Sequence, residues 1–157
     1  MPDMLVKLYE LKDNSSLYKK LEDNGIRIFR PMTPNRGKVN AFIKDNFGDG
    51  WMNENETAFA RSPVSCFIAY DTNLKKIVGF AAYNVTAKGF FGPTGVDEKQ
   101  RKRGIGGALL LKCLEAMREE GYGYAIIGSA GPVEYYKKCC GAIVIEDSVP
   151  GIYKDLI

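Results

Sequence analysis

Histidine is absent from this chain of 157 residues. Serine or cysteine nucleophiles activated by an imidazole are therefore excluded. The four cysteines, Cys66, Cys113, Cys139 and Cys140, show no C-x-x-C spacing, so no framework for a structural zinc ion is present and no metal is expected. They read as reduced, buried small hydrophobes. No apolar run approaches the roughly 20 residues that cross a bilayer. The start, Met-Pro-Asp-Met-Leu, has neither the basic opening nor the apolar core of a signal peptide. A cytoplasmic location with no membrane contact is the default expectation. Charge of one sign is also lacking: 22 Lys and Arg against 19 Asp and Glu leave +3, too mild for a nucleic-acid partner. The only dense basic cluster is 99–103.

What is there suits one soluble domain, with 45% apolar and 26% charged residues and enough length to bury a full core. Periodicity gives a mixed α/β order. Leu5–Leu11 alternates as a short strand, and Ser15–Asp23 reads as a short helix ending near Gly25. Ile26–Pro31 is a second strand. Val39–Phe47 and Asn53–Ala60 read as helices, joined by a flexible Gly48-Asp49-Gly50-Trp51 connection. Ser65–Tyr70 and Ile77–Val85 flank a hairpin turn, and Phe90–Val96 is a third consecutive strand. From Gly104 the period becomes helical up to Gly121. Tyr124–Gly128 is continuously apolar, as in a buried central strand. A helix over Val133–Cys139 and strands at Ala142–Glu146 and Ile152–Leu156 complete the chain.

The densest functional signal lies at residues 89–120. An apolar strand ending at Val96 enters a basic, glycine-punctuated turn, Arg101-Lys102-Arg103-Gly104-Ile105-Gly106-Gly107, which opens into a helix. Backbone N–H groups without a partner inside the helix, the positive end of its dipole and three cations suit a phosphate or pyrophosphate. A dinucleotide fingerprint beginning at Gly104 and Gly106 would need glycine where Leu109 stands. The triphosphate loop G-x-x-x-x-G-K-[ST] is absent. The pattern that does match is [QR]-x-x-G-x-[GA].

Downstream, Ser129-Ala-Gly-Pro-Val-Glu-Tyr-Tyr-Lys-Lys-Cys-Cys-Gly-Ala resembles N-x-x-A-x-x-[FY]-Y-x-x-x-G-[FA]. Together these motifs and the element order resemble the GCN5-related N-acetyltransferases, the GNAT superfamily, over about residues 26–157. Residues 1–25 stand outside as an N-terminal extension of a strand plus a short helix. The resemblance implies a mixed, mostly antiparallel α/β sheet flanked by helices, with a splayed strand pair holding acetyl-coenzyme A. It implies main-chain contacts to coenzyme A from Thr94, Gly95, Val96 and the turn Arg101, Lys102, Arg103, Gly104, Ile105, Gly106 and Gly107, with Ser129 in place of the usual asparagine. Tyr136 falls on the tyrosine that protonates the departing thiolate. One extra residue before Gly141 leaves Tyr135 as the alternative.

The activity so implied is acetyl transfer to a primary amine of a small molecule by direct attack. The alternative is a non-catalytic coenzyme A sensor or an interaction module, with homodimerisation open. Phe47, Trp51, Tyr83, Phe90 and Phe91 would line the acceptor site, and the candidates for a base are Glu54, Glu56, Asp97, Glu134 and Asp147.

Overall fold

Three apolar segments in the middle of the chain form consecutive antiparallel strands in the computed structural model, which describes residues 1–157. They are β3 (Cys66–Asp71), β4 (Lys76–Tyr83) and β5 (Phe90–Val96). Asp71 makes the first turn, its Oδ1 accepting the N–H groups of Asn73 at 2.9 Å and Leu74 at 3.0 Å. A short aspartate folding back on the next backbone donors is the usual chemistry of such a turn. β2 (Ile26–Phe29) pairs with β3. β6 (Tyr124–Ile127) lies parallel to β5, which requires a crossover, supplied by α4 (Ile105–Glu119). β1 (Met4–Lys7) is antiparallel to both β6 and the two-residue β7 (Ile143–Val144). The order β2-β3-β4-β5-β6-β1-β7 gives one seven-stranded, mostly antiparallel sheet.

Each face carries its own apolar cluster. The larger buries 24 residues, including Met4, Val6, Ile105, Leu109 and Leu114, beneath α4. α1 (Ser15–Asp23) and α5 (Val133–Cys140) flank α4 and pack against the same cluster through Leu21 and Tyr136. The smaller cluster gathers Val39, Ile43, Ala58, Cys66, Ile68 and Phe80 beneath α2 (Arg36–Phe47) and α3 (Asp49–Glu56). The alternation Cys66/Ile68 against Phe67/Ala69 divides β3 between the two faces. No helix is long and apolar enough to cross a membrane.

Several expected elements differ. The first strand stops at Lys7, and Leu8–Glu10 forms a 3₁₀ turn. The segment around Trp51 is not a flexible connection: Gly48, at φ 97°, reverses the chain and Asp49 starts a helix at once. An acidic residue in the first turn suits the helix dipole. That helix ends at Glu56, and Thr57–Ala60 is 3₁₀. The last strand is also absent; Gly151–Asp155 is 3₁₀ instead. Gly151, at φ 61°, tightens the chain against the Asp3 carboxylate and leaves no extended backbone to pair.

Candidate active site

The site begins where β5 and β6 part. They pair only at Phe90–Ile126 and Phe91–Ile127. Beyond these, β5 keeps β4 on one side and loses its neighbour on the other. The Asp97 N–H donates to the Val78 carbonyl at 2.8 Å, so Gly95 also faces β4. Alternation then points the main-chain groups of Thr94 and Val96 into the gap. The Val96 carbonyl there accepts from Nε of Arg101 at 3.3 Å.

After β5 the chain is organised by short-range polar contacts. The Asp97 carboxylate accepts the Lys99 N–H at 3.0 Å and starts a 3₁₀ turn over Glu98–Gln100. Lys102 at φ 66° and Gly104 at φ 82° are both left-handed, and this double reversal aims the start of α4 back at the gap. Glycine is the residue that takes such a conformation without steric cost. The first closed turn of α4 runs from the Ala108 N–H to the Gly104 carbonyl at 3.1 Å. The N–H groups of Ile105, Gly106 and Gly107 therefore lack an acceptor within the chain, as at any helix start.

Arg103 has a different task. Its Nη1 donates to Oδ2 of Asp71 at 3.2 Å and to Oε1 of Gln100 at 2.7 Å. Asp71 is only 3% exposed, and its carboxyl lies below the usual value, first through the Leu74 N–H and then through the Arg103 guanidinium. The pair ties the turn to the β3–β4 hairpin.

α5 closes the opposite wall with two adjacent tyrosines. Tyr136 is 8% exposed and Tyr135 41%. Burial is the main cause that raises both hydroxyls above their ordinary value of 10.0, with Cys140 and Cys139 adding to it at Tyr136. The Tyr135 hydroxyl lies over the start of α4, 3.7 and 3.6 Å from where a Cβ on Gly106 or Gly107 would be. Tyr136 points inward from the same helix, and its hydroxyl is free of any protein hydrogen-bond partner. α5 ends in a left-handed Gly141, whose N–H bonds the Lys137 carbonyl at 3.0 Å. The residue in excess of the motif is thus accommodated within the helix, which runs through Cys140.

Phe47 and Trp51 form the remaining wall. Their rings stand 5.3 Å apart, and both pack on Phe80. Phe47 presses directly on Gly95: a Cβ there would lie 2.7 Å from Cε1 and Cε2 and closer still to Cζ. Gly95→Ala is therefore expected to cost about 1–3 kcal/mol of stability as an overpacked contact. Chemical denaturation of Gly95→Ala in a Phe47→Ala background checks this, because the cost should vanish when the ring is removed.

These walls enclose a cavity of about 620 Å³. Thr94, Gly95, Val96, Arg101, Lys102, Gly104, Ile105, Gly106 and Gly107 all line it, together with Tyr135 and Tyr136. Two expected contacts lie outside. Arg103 turns to Asp71, and the Ser129 N–H donates to Oδ1 of Asp3 at 2.8 Å. Of the five aromatic residues assigned to an acceptor, Phe47 and Trp51 line the cavity. Tyr83 and Phe91 belong to the core, where Arg30 donates to the Tyr83 hydroxyl at 2.6 Å.

None of the five candidate carboxylates reaches the lining. Glu54 and Glu56 lie on α3 and Glu134 on α5, helices that do border it; Glu54, one turn beyond Trp51, accepts the Thr86 hydroxyl. Glu56 accepts from Asn40, Asp97 and Glu134 pair with Lys76 and Lys137, and Asp147 is exposed. Sequence reasoning missed the wall residues Gln100, Leu110, Pro132 and Cys139, and the Asp71 clamp. The hairpin role of Asp71 was legible, but its Arg103 partner is 32 residues away.

The sequence profile described as the Acetyltransferase (GNAT) family matches residues 31–142. The chain belongs to that family. Solved GNAT structures share the fold. A glucosamine N-acetyltransferase region of a fungal multi-domain β-N-acetylglucosaminidase aligns with TM-score 0.76 and 13% identity, covering 92% of this chain and 19% of that one. A GCN5-related N-acetyltransferase from Sphaerobacter thermophilus aligns at 0.70 and 19%, covering 92% and 48%. A GNAT acetyltransferase from Brucella melitensis in complex with acetyl-CoA aligns at 0.58 and 17%, covering 73% and 81%. This chain thus spans about a fifth of the first relative and about half of the second. No curated protein matches it at a significant level.

The donor of GNAT enzymes is acetyl-coenzyme A, and the residues present fit it. The glycines at 106 and 107 leave the α4 N–H groups uncovered, and the open edge of β5 offers main-chain partners to an amide-bearing arm.

Proposed function

We propose that this GNAT protein transfers the acetyl group of acetyl-coenzyme A to a primary amine of a small molecule, the amine attacking the acetyl carbonyl directly. One observation carries the reading. The open β5 edge, the free N–H groups of α4 and the buried Tyr136 share a single cavity. When bound, the coenzyme supplies an acetyl group activated as a thioester.

The chain's own residues do the rest. Ile105, Gly106 and Gly107 offer N–H groups to the pyrophosphate, with Arg101 and Lys102 adding charge beside them. Thr94 and Val96 hold the pantetheine arm by main-chain bonds. The Val96 N–H, on the open edge of β5, would stabilise the negative charge that grows on the acetyl oxygen during attack. Tyr136 holds the proton that the leaving sulfur takes as the carbon–sulfur bond breaks. Its raised pKa keeps that proton in place at neutral pH. The attacking nitrogen loses a proton as the amide forms, and Glu54, one turn beyond Trp51 on α3, is the proposed acceptor of that proton. Phe47 and Trp51 give the acceptor an apolar wall that limits water.

The test is thiol release from acetyl-coenzyme A across a panel of amines, beside direct measurement of acetyl-coenzyme A binding. An amino sugar heads the panel because the fungal neighbour is a glucosamine N-acetyltransferase region. Polyamines, amino acids and peptide N-termini follow. Turnover with at least one acceptor is expected. Tight binding without turnover across the panel would favour a non-catalytic sensor, and failure to bind would end the reading.

A further inference from the structure

A second cavity, of about 550 Å³, opens on the other flank of the same basic turn. It shares Lys102 and Gly104 with the first cavity and is otherwise walled by Arg103, by Leu17, Lys20 and Leu21 of α1, and by Asn24 at the C-cap of that helix. Three of its lining residues are cations, and none is a carboxylate. Lys20 and Lys102 take part in none of the ion pairs of the fold. Arg103 gives Nη1 to Asp71 and Gln100, and a guanidinium has further donors to offer.

The position of α1 is built rather than accidental. Leu17, Lys20 and Asn24 follow at i, i+3 and i+7, one face of a helix. Leu17 reaches to 3.6 Å from a Cβ position on Gly104, and Leu21 is buried in the core. The Tyr18 hydroxyl donates to Oε1 of Glu115 at 2.9 Å, and the Lys112 ammonium lies 4.3 Å from the Tyr18 ring centre. These contacts set the helix against α4 and bring Lys20 to the turn. The whole of α1 lies outside the family match at 31–142.

Coenzyme A is asymmetric about its pyrophosphate: the acyl-bearing arm leaves on one side and a 3′-phosphorylated adenosine on the other. The acyl arm belongs in the cavity with the open β5 edge and Tyr136. The nucleotide then has the opposite flank of the turn, where the unpaired cations stand. We propose that Lys20 of α1, with Lys102 and Arg103, binds the 3′-phosphate of the cofactor's nucleotide. The N-terminal helix is thereby part of the donor site. The proposal rests on the acetyl-coenzyme A reading above.

The experiment compares binding of coenzyme A and 3′-dephospho-coenzyme A by titration calorimetry, at fixed low salt, to the full chain. Wild type is expected to prefer coenzyme A by about tenfold, the scale of a charge-assisted phosphate contact. Lys20→Gln should weaken coenzyme A several-fold, leave the dephospho form unchanged and so remove most of the preference. Lys138→Gln, on a different basic pocket beside α5, should keep it. Equal wild-type affinity for the two ligands would overturn the proposal, with coenzyme A binding itself left standing. Equal weakening of both by Lys20→Gln, or loss of preference in Lys138→Gln instead, would also overturn it. No binding of either ligand would remove the donor reading together with this one.

Discussion

Tyr136→Phe is expected to lower kcat for acetyl transfer by about 10²-fold, at the lower end of what a general acid contributes. Affinity for acetyl-coenzyme A should stay within about twofold, because the pyrophosphate and pantetheine are held by main-chain groups that the substitution does not touch. Three features favour Tyr136 over its neighbour as the proposed donor. It is the buried member of the pair, 8% against 41% exposed. Its hydroxyl is not spent on a protein acceptor. Tyr135, by contrast, lays its hydroxyl over Gly106 and Gly107, beside the phosphate cradle rather than the open strand edge. Tyr135→Phe should therefore change the KM for acetyl-coenzyme A by a few-fold and leave kcat nearly intact. Phenylalanine keeps the apolar packing of either site, so stability is not the confounder. The pH profile gives a second check. Burial raises the Tyr136 hydroxyl above 10.0, so it remains protonated, and competent as an acid, throughout the neutral range. Wild-type kcat should show no alkaline loss from this group below about pH 10. An undiminished kcat in Tyr136→Phe would remove the residue from the mechanism and leave Tyr135 as the next acid to test.

Val6→Asp is expected to abolish folding or to cost at least about 4 kcal/mol, a large share of the 5–15 kcal/mol that holds a domain together. Val6 sits in β1 opposite Ala125, between β6 and β7, with no exposure and with its side chain in the main core. A carboxylate there has no cation or N–H to pair with, and burying it unpaired costs far more than the lost methyl packing. Lys7→Asp, one residue along and half-buried on the other face of the strand, should change stability by about 0.5 kcal/mol or less. Thermal unfolding followed by circular dichroism separates the two. If Val6→Asp melted like the wild type, β1 would not be the core strand described here. Asp3, immediately before β1, also holds the Ser129 N–H just past β6. Loosening β1 should therefore loosen β6, its hydrogen-bonded neighbour, as well.

Much of the candidate site was legible because its chemistry is local. The turn from Arg101 to Gly107 is contiguous, and its unpaired N–H groups follow from helix geometry alone. Tyr136 was legible for a similar reason, through the motif around it, and the helix that presents it runs within a residue of the expected bounds. Glycines at 104, 106 and 107 carry their meaning in the backbone they permit, which any reader of the sequence can recover. The long helix and the three-strand hairpin run were likewise visible in periodicities of 3.6 and 2.

Other features depended on partners distant in the chain. Arg103 looked like a pyrophosphate ligand beside Arg101 and Lys102, and only the arrival of Asp71 from the hairpin turned it away from the first cavity. Trp51 looked like a loop residue because Gly48 and Gly50 precede it, yet packing against the rings of Phe47 and Phe80 holds it in a helix wall. The first 25 residues offered a strand and a helix with no address. By itself, the sequence determined a phosphate-binding turn and, through its resemblance to the GNAT family, acetyl-coenzyme A as the donor, since both rest on short contiguous motifs. Tertiary structure alone decided that β1 completes the sheet and that α1 brings Lys20 to the same turn. Strand pairing and helix docking join residues more than 80 positions apart, and no local pattern records such a meeting.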